Sequence, residues 1–177
     1  MREAEPKDGP LIFQFVRELA EYERLSQEVD ATQQQLAQAL FSSQPRLFCD
    51  IAEWDGEPAG FALWFLNFSS FRGRFGVYLE DLFVRPAFRD RGLGKALMEK
   101  LARRCAQEGW TRFEWAVLDW NKPAIDFYRA IGATGFRSRV DDRHLRLFGN
   151  PGERHRVGAK LTDGNILDGL EQAGLVV

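Results

Sequence analysis

Apolar residues change their spacing several times along the chain, and each change marks an element. Residues 2–5 read as a short first strand, and Pro6-Lys7-Asp8-Gly9-Pro10 as a turn. Leu11, Phe15, Leu19 and Tyr22 then recur at helical spacing, predicting an amphipathic helix of about three turns. A second helix is predicted from Thr32, a good N-cap, with Leu36, Ala39 and Leu40 on one face. The pattern next turns to strands. Residues 47–54 and the aromatic-rich residues 59–68 flank a hairpin signal, Asp55-Gly56-Glu57-Pro58. Residues 67–76 read as a turn and 77–84 as a third strand, ended by Pro86, which cannot donate to a ladder.

Helical spacing returns at Ala96, Leu97, Leu101 and Cys105, in a helix ending near Gly109. Residues 113–118 form a predicted strand. Residues 121–131 form a predicted helix with Asn121 as N-cap, Pro123 in the first turn and Gly132 as its stop. Beyond it, residues 144–148 alternate like a strand, 150–155 read as a polar loop, and 165–173 as a weak closing helix. Helices, then an antiparallel meander, then a strand–helix–strand–helix unit imply an α/β or α+β domain with a mixed sheet.

The length, 177 residues with 45% hydrophobic, suits one domain that buries most of its apolar surface without disulfides or metals. Fifteen Phe and five Trp supply bulky core material. A net charge of −2 argues against nucleic acid as the main partner, because phosphate backbones select clustered Lys and Arg. Cys49 and Cys105 lie far apart without a pairing motif, as in a reduced cytoplasmic protein. The first residues hold no apolar run, so no signal peptide is expected. No stretch approaches the ~20 apolar residues of a membrane span.

The chemistry concentrates in Arg89-x-x-Gly92-x-Gly94, set between a predicted strand and a predicted helix. A helix start leaves backbone N–H groups unpaired at the positive end of its dipole, and glycines let a phosphate approach. Arg85, Arg89, Arg91 and Lys95 add positive charge, opposed by Asp90. Ala96 and Leu97 stand where a dinucleotide fingerprint needs a third glycine, and no Walker lysine is present, so NAD and ATP lose ground. By itself this segment says that a phosphate binds.

The same segment resembles the signature of the GNAT superfamily of acetyl-CoA-dependent N-acetyltransferases, Arg/Gln-x-x-Gly-x-Gly/Ala. The likeness extends to Tyr78-Leu79-Glu80-Asp81-Leu82-Phe83-Val84 before it and, after it, to Ala116-Val117-Leu118-Asp119-Trp120-Asn121 and Ile125 to Ala133. With Leu19-Ala20-Glu21-Tyr22-Glu23, the chain is similar to the diamine acetyltransferase branch, closest to the thialysine Nε-acetyltransferases, over about residues 1–133. The resemblance implies a GNAT fold over 1–149, a mixed, mostly antiparallel sheet flanked by helices with splayed strands that bind CoA, and a divergent tail over 150–177. It implies a homodimer acting on a small-molecule amine, with acetyl-CoA as co-substrate and no metal.

The resemblance also assigns roles. Leu82, Phe83 and Val84 would bond the pantetheine arm through their backbone, and Arg89, Arg91, Gly92, Leu93, Gly94 and Lys95 would wrap the pyrophosphate. Asn121 matches a residue near the thiol end, and Tyr128 the acid that protonates the leaving thiolate, for which a phenol of pKa about 10 is suited. Glu80 matches the base acting on the substrate ammonium, with Asp81 the alternative, since neighbouring strand residues face opposite ways. Tyr22 and Glu23 match amine-binding residues, and Glu114 and Trp115 are expected to line the same cleft. Ser69 and Phe71 stand where the polyamine enzyme carries an acidic residue and a Trp, which favours a thialysine-like molecule or a short diamine over a long polyamine. A polyamine acetyltransferase and a non-catalytic acyl-CoA-binding module are the alternatives.

Overall fold

The computed structural model describes residues 1–138 and 156–162. The chain forms two compact units, residues 1–67 with 79–101, and residues 68–78 with 102–177. Three elements, strands β3 (Glu57–Ser69) and β4 (Arg74–Val84) and helix α3 (Leu93–Gln107), run from one unit into the other.

The first unit opens with β1 (Arg2–Glu3), antiparallel to β2 (Phe48–Trp54), followed by a 3₁₀ turn at Pro6–Asp8. Helix α1 (Gly9–Tyr22) starts inside the segment expected to be a turn. Pro10 sits in its first turn, where the missing N–H costs no hydrogen bond, so proline starts this helix rather than delaying it. Helix α2 (Gln33–Phe41) begins at Thr32 as expected, and Thr32 and Gln35 cap each other reciprocally. The hairpin from β2 to β3 (Glu57–Ser69) turns through Asp55 and Gly56, both with positive φ (51° and 81°), the left-handed pair that the twist of a tight hairpin requires. The pairing shifts register between Ala52 and Glu53, opposite Pro58, where a residue without an N–H is tolerated. Within this unit the strand order is β1-β2-β3-β4.

Its core joins Ile12 and Phe15 of α1, Leu40 of α2, Cys49 and Ile51 of β2, Phe61 and Leu63 of β3, and Phe83 of β4. Phe15 stacks on Phe61 (centroids 5.2 Å apart) and meets Phe83 edge-on. Asp50 is buried there too, accepting from Trp64 Nε1 at 2.9 Å and paired with Lys100 Nζ at 2.5 Å, so its charge is matched. Arg2 grips the buried Asp8 with two N–H groups (2.6 and 2.9 Å), and Arg85 grips Glu18 likewise (2.8 and 2.8 Å).

Those two arginines hold the Asp8 and Glu18 carboxyls below the usual carboxylate range, chiefly through these hydrogen bonds. A lowered carboxylate pKa adds stability that is present above the ordinary pKa and is lost as pH falls through the lowered one. Glu18→Gln is therefore expected to be less stable than the parent at neutral pH and to converge with it between roughly pH 4.5 and the lowered value. Thermal melts across the acid range check this, and a constant gap down to the most acid point would refute it.

The second unit carries the tip of the β3–β4 hairpin. The turn expected over residues 67–76 shrinks to residues 70–73, closed by the Gly73 N–H donating to the Ser69 carbonyl at 2.7 Å, with Gly73 at φ +61°. Phe68 and Phe75 meet edge-to-face at 5.1 Å, a cross-strand pair that carries both strands past the expected ends. The unit continues with the end of α3, β5 (Arg112–Leu118), α4 (Lys122–Ala130), β6 (Thr134–Ser138) and β7 (Arg156–Thr162), in the strand order β4-β5-β7-β6. Asn121 caps α4 by accepting from the Ala124 N–H at 3.3 Å, and Gly132, at φ +80°, ends the turn after it.

Strands β6 and β7 were not foreseen. Residues 156–162, placed by sequence in a tail outside the domain, pair antiparallel with β5 along Arg112–Leu118 and also with β6, so a boundary after residue 149 does not separate tail from sheet. Ladders on both edges make β7 a strand, and the alternation of Val157, Ala159 and Leu161 is the period-2 signal that the sequence reading passed over. The strand expected at 144–148, the loop at 150–155 and the helix at 165–173 lie outside the described residues.

Candidate active site

The cradle is built where β4 hands over to α3. The chain leaves Val84 through a 3₁₀ turn at Pro86–Phe88, then passes Asp90 (φ 60°) and Gly92 (φ 74°) in left-handed conformations. Asp tolerates this geometry and Gly prefers it. Ala96 is the first residue of the helix to donate one turn back, to the Gly92 carbonyl at 2.9 Å. The N–H groups ahead of it, from Gly92 to Gly94, stand at the helix start, with no preceding helical turn to bond to. A Cβ built on Gly92 would meet nothing within 4 Å, so space for an anion lies over this backbone. Gly92 is thus required for its φ, not by a neighbouring atom.

The arginines around the cradle are held in place. Arg89 donates through Nε to the Val84 carbonyl (3.0 Å), and its guanidinium lies 4.6 Å from the Tyr22 ring centroid. Arg91 lies 5.0 Å from the Trp54 ring centroid and 5.7 Å from that of Phe88. Such cation–π platforms fix guanidinium planes without neutralising their charge. Arg85, expected to join the phosphate group, is instead committed to Glu18 and the Pro58 carbonyl and lies against Phe15. Trp54 and Phe88 escaped the sequence reading. Phe88 adjoins Arg89 but faces Arg91, and Trp54 comes from another strand with no local signal.

The remaining site residues sort by unit. In the first, Glu80 is exposed and Asp81 half-buried on successive positions of β4, hence on opposite faces. Leu82 and Val84 share the face of Glu80 and are half-buried, whereas the side chains of Phe83 (5% exposed) and Leu93 (7%) are core, leaving only their backbone to a ligand. Gly94 and Lys95 are half-buried in the first turn of α3. Tyr22, expected to bind amine, is brought against the cradle as the platform for Arg89. Glu23 is half-buried and caps the end of α1.

In the second unit Tyr128 is 7% exposed on α4, packed on Trp115 (5.0 Å) and Phe127 (5.2 Å), and Asn121 is 6% exposed at the start of the same helix. Glu114 and Trp115 do not line one surface. Strand alternation buries Trp115 among Phe113 and Tyr128, while Glu114 turns the other way, 3.7 Å from Arg112.

Comparison with known proteins decides what the cradle belongs to. Residues 12–133 match the acetyltransferase (GNAT) family. The chain belongs to that family. It is an acetyl-CoA-dependent N-acetyltransferase. The family match runs from within α1 to the turn after α4, ends just before β6, and contains the cradle. The chain is similar to the thialysine N-epsilon-acetyltransferase of Bos taurus, 38% identical over 141 residues that cover 75% of this chain and 82% of the relative. It is also similar to the L-ornithine N5-acetyltransferase of Arabidopsis thaliana, 31% identical over 182 residues covering 77% and 80%. In fold it matches a GNAT-family acetyltransferase from Streptococcus pneumoniae with a TM-score of 0.67 at 18% identity, over 91% of this chain and 97% of the other.

Proposed function

We propose that this enzyme acetylates the primary amine of a small molecule, a thialysine-like amino acid or a short diamine. The observation that carries the reading is the run from residue 80 to residue 95, which joins an exposed carboxylate on β4 to a phosphate cradle with preset arginines. The relatives named for thialysine and ornithine support it, because both names describe acetyl transfer to a side-chain amine.

In this reading the N–H groups at the start of α3 hold the pyrophosphate, and Arg89, Arg91 and Lys95 offset its charge. The β4 backbone at Leu82, Phe83 and Val84 aligns the pantetheine arm, which leaves the acetyl thioester as the reactive end. Glu80 accepts a proton from the substrate ammonium through water, freeing the lone pair that forms the N–C bond, since an amine of pKa near 10 is otherwise mostly protonated. As the C–S bond breaks, Tyr128 gives its proton to the sulfur, and Asn121 helps hold that end. Transfer is direct. Burial pushes both thiols up, that of Cys105 to about 12, and a protonated buried thiol is a poor nucleophile.

The test is CoA release with acetyl-CoA and a panel of thialysine, lysine, ornithine, putrescine, spermidine and an N-terminal peptide. Turnover of thialysine, ornithine or putrescine well above that of spermidine and the peptide is expected. Tight CoA binding with no turnover of any acceptor would sink the reading.

A further inference from the structure

Arg91 differs from the arginines beside it in what holds it. Arg85 is spent on Glu18, and Arg89 is tied to the Val84 carbonyl as well as to the Tyr22 ring. Arg91 is exposed, and among the described residues it forms no ion pair or side-chain hydrogen bond, although Asp90 adjoins it. Its guanidinium carbon lies 5.0 Å from the Trp54 ring centroid and 5.7 Å from that of Phe88. Trp54 and Phe88 are half-buried and stand outside the core cluster. All three residues belong to the first unit. Folding brings Trp54 here from far along the chain. It ends β2, next to the Asp55-Gly56 turn. The strand leaving that turn is tied to the chain entering the cradle: the Arg85 N–H donates to the Ala59 carbonyl at 2.9 Å, and Arg85 Nη1 to the Pro58 carbonyl at 2.8 Å. The register shift between Ala52 and Glu53 falls just before Trp54, and an irregularity of that kind re-aims a side chain near the end of a strand.

We infer that Trp54 is a positioning residue for acetyl-CoA, which sets the affinity for the cofactor by presenting Arg91 to its pyrophosphate. Trp54 touches none of the reacting atoms and acts through the guanidinium alone. A free arginine side chain carries much rotamer entropy, and ordering it when a ligand binds costs affinity. A guanidinium already resting on a ring is ordered before the cofactor arrives. Trp is the ring that holds a cation best, and unlike a carboxylate it leaves the charge available to a phosphate. Tyr22 does not isolate this effect, because its ring also packs against the core cluster and Arg89 has a second anchor. The inference rests on the reading that the cradle holds the pyrophosphate, and it names a residue on a distant hairpin that decides how tightly.

Calorimetric titration with CoA reads the effect without turnover. Trp54→Leu keeps apolar bulk and loses the ring, and is expected to raise the Kd for CoA about fivefold, as loss of a cation–π contact implies. Trp54→Phe should recover part of the affinity. In steady state the KM for acetyl-CoA should rise by the same factor in Trp54→Leu, with kcat and the KM for the amine close to the parent's. A double-mutant cycle separates positioning from general support of the fold. In an Arg91→Gln background, Trp54→Leu should weaken CoA binding little further. An equal loss in both backgrounds overturns the inference, as does a Trp54→Leu protein that binds CoA like the parent while Arg91→Gln binds it more weakly. An Arg91→Gln protein with the parent's Kd would instead remove Arg91 from the pyrophosphate site, and the inference with it.

Discussion

Tyr128→Phe is expected to lower kcat by roughly 10²-fold, the low end of the ~10²–10⁴ that a positioned general acid contributes, while the Kd for CoA stays close to that of the parent. The low end applies because a thiolate leaves more readily than an alkoxide or amide, so an acid is helpful rather than indispensable. The substitution is clean. Tyr128 is buried against Trp115 and Phe127 at 5.0 and 5.2 Å, and Phe preserves both ring contacts, so only the hydroxyl is lost. Steady-state kinetics with equilibrium CoA binding check the prediction. Equal losses of binding and turnover would assign Tyr128 a packing role, and an unchanged kcat would remove it from the chemistry.

Gly60→Val is the substitution with the largest expected effect on the fold. A Cβ at Gly60 would lie 2.4 Å from the Phe83 carbonyl oxygen and 3.0 Å from the Val84 Cα, both backbone, so no side chain can swing aside to relieve the contact. Overpacking of this kind costs about 1–3 kcal/mol or more, and each kcal/mol lowers Tm by roughly 2–4 °C in a domain of this size. The damage also falls where β3 presses on the strand assigned to the pantetheine arm. A raised KM for acetyl-CoA should therefore accompany the lower Tm, with the KM for the amine moving less. A melting temperature within a degree of the parent's would show that β4 yields more easily than its backbone contacts imply.

Local signals were legible wherever residues a few positions apart do the work. The Asp-Gly hairpin, the Thr32 and Asn121 caps, and the strand–cradle–helix order all appeared as expected. Errors arose where the deciding partner is distant. Pro10 was read as a break because proline ends some helices and starts others, and only its place in the first turn distinguishes the two. Arg85 was counted with the phosphate arginines because nothing nearby announces Glu18, whereas β7 was missed despite the local alternation of Val157, Ala159 and Leu161.

The sequence by itself determined the chemistry at the cradle. The glycine spacing marked a phosphate cradle, the flanking motifs carried the resemblance on which the roles of Glu80 and Tyr128 are proposed, and net charge argued against nucleic acid as the main partner. Tertiary structure alone decided which charges remain available. It set Arg89 on Tyr22 and Arg91 on Trp54 and withdrew Arg85 to Glu18. The reason is physical. A residue's identity fixes its charge and hydrogen-bonding capacity, but whether that capacity is spent depends on groups that only folding brings within a few ångströms.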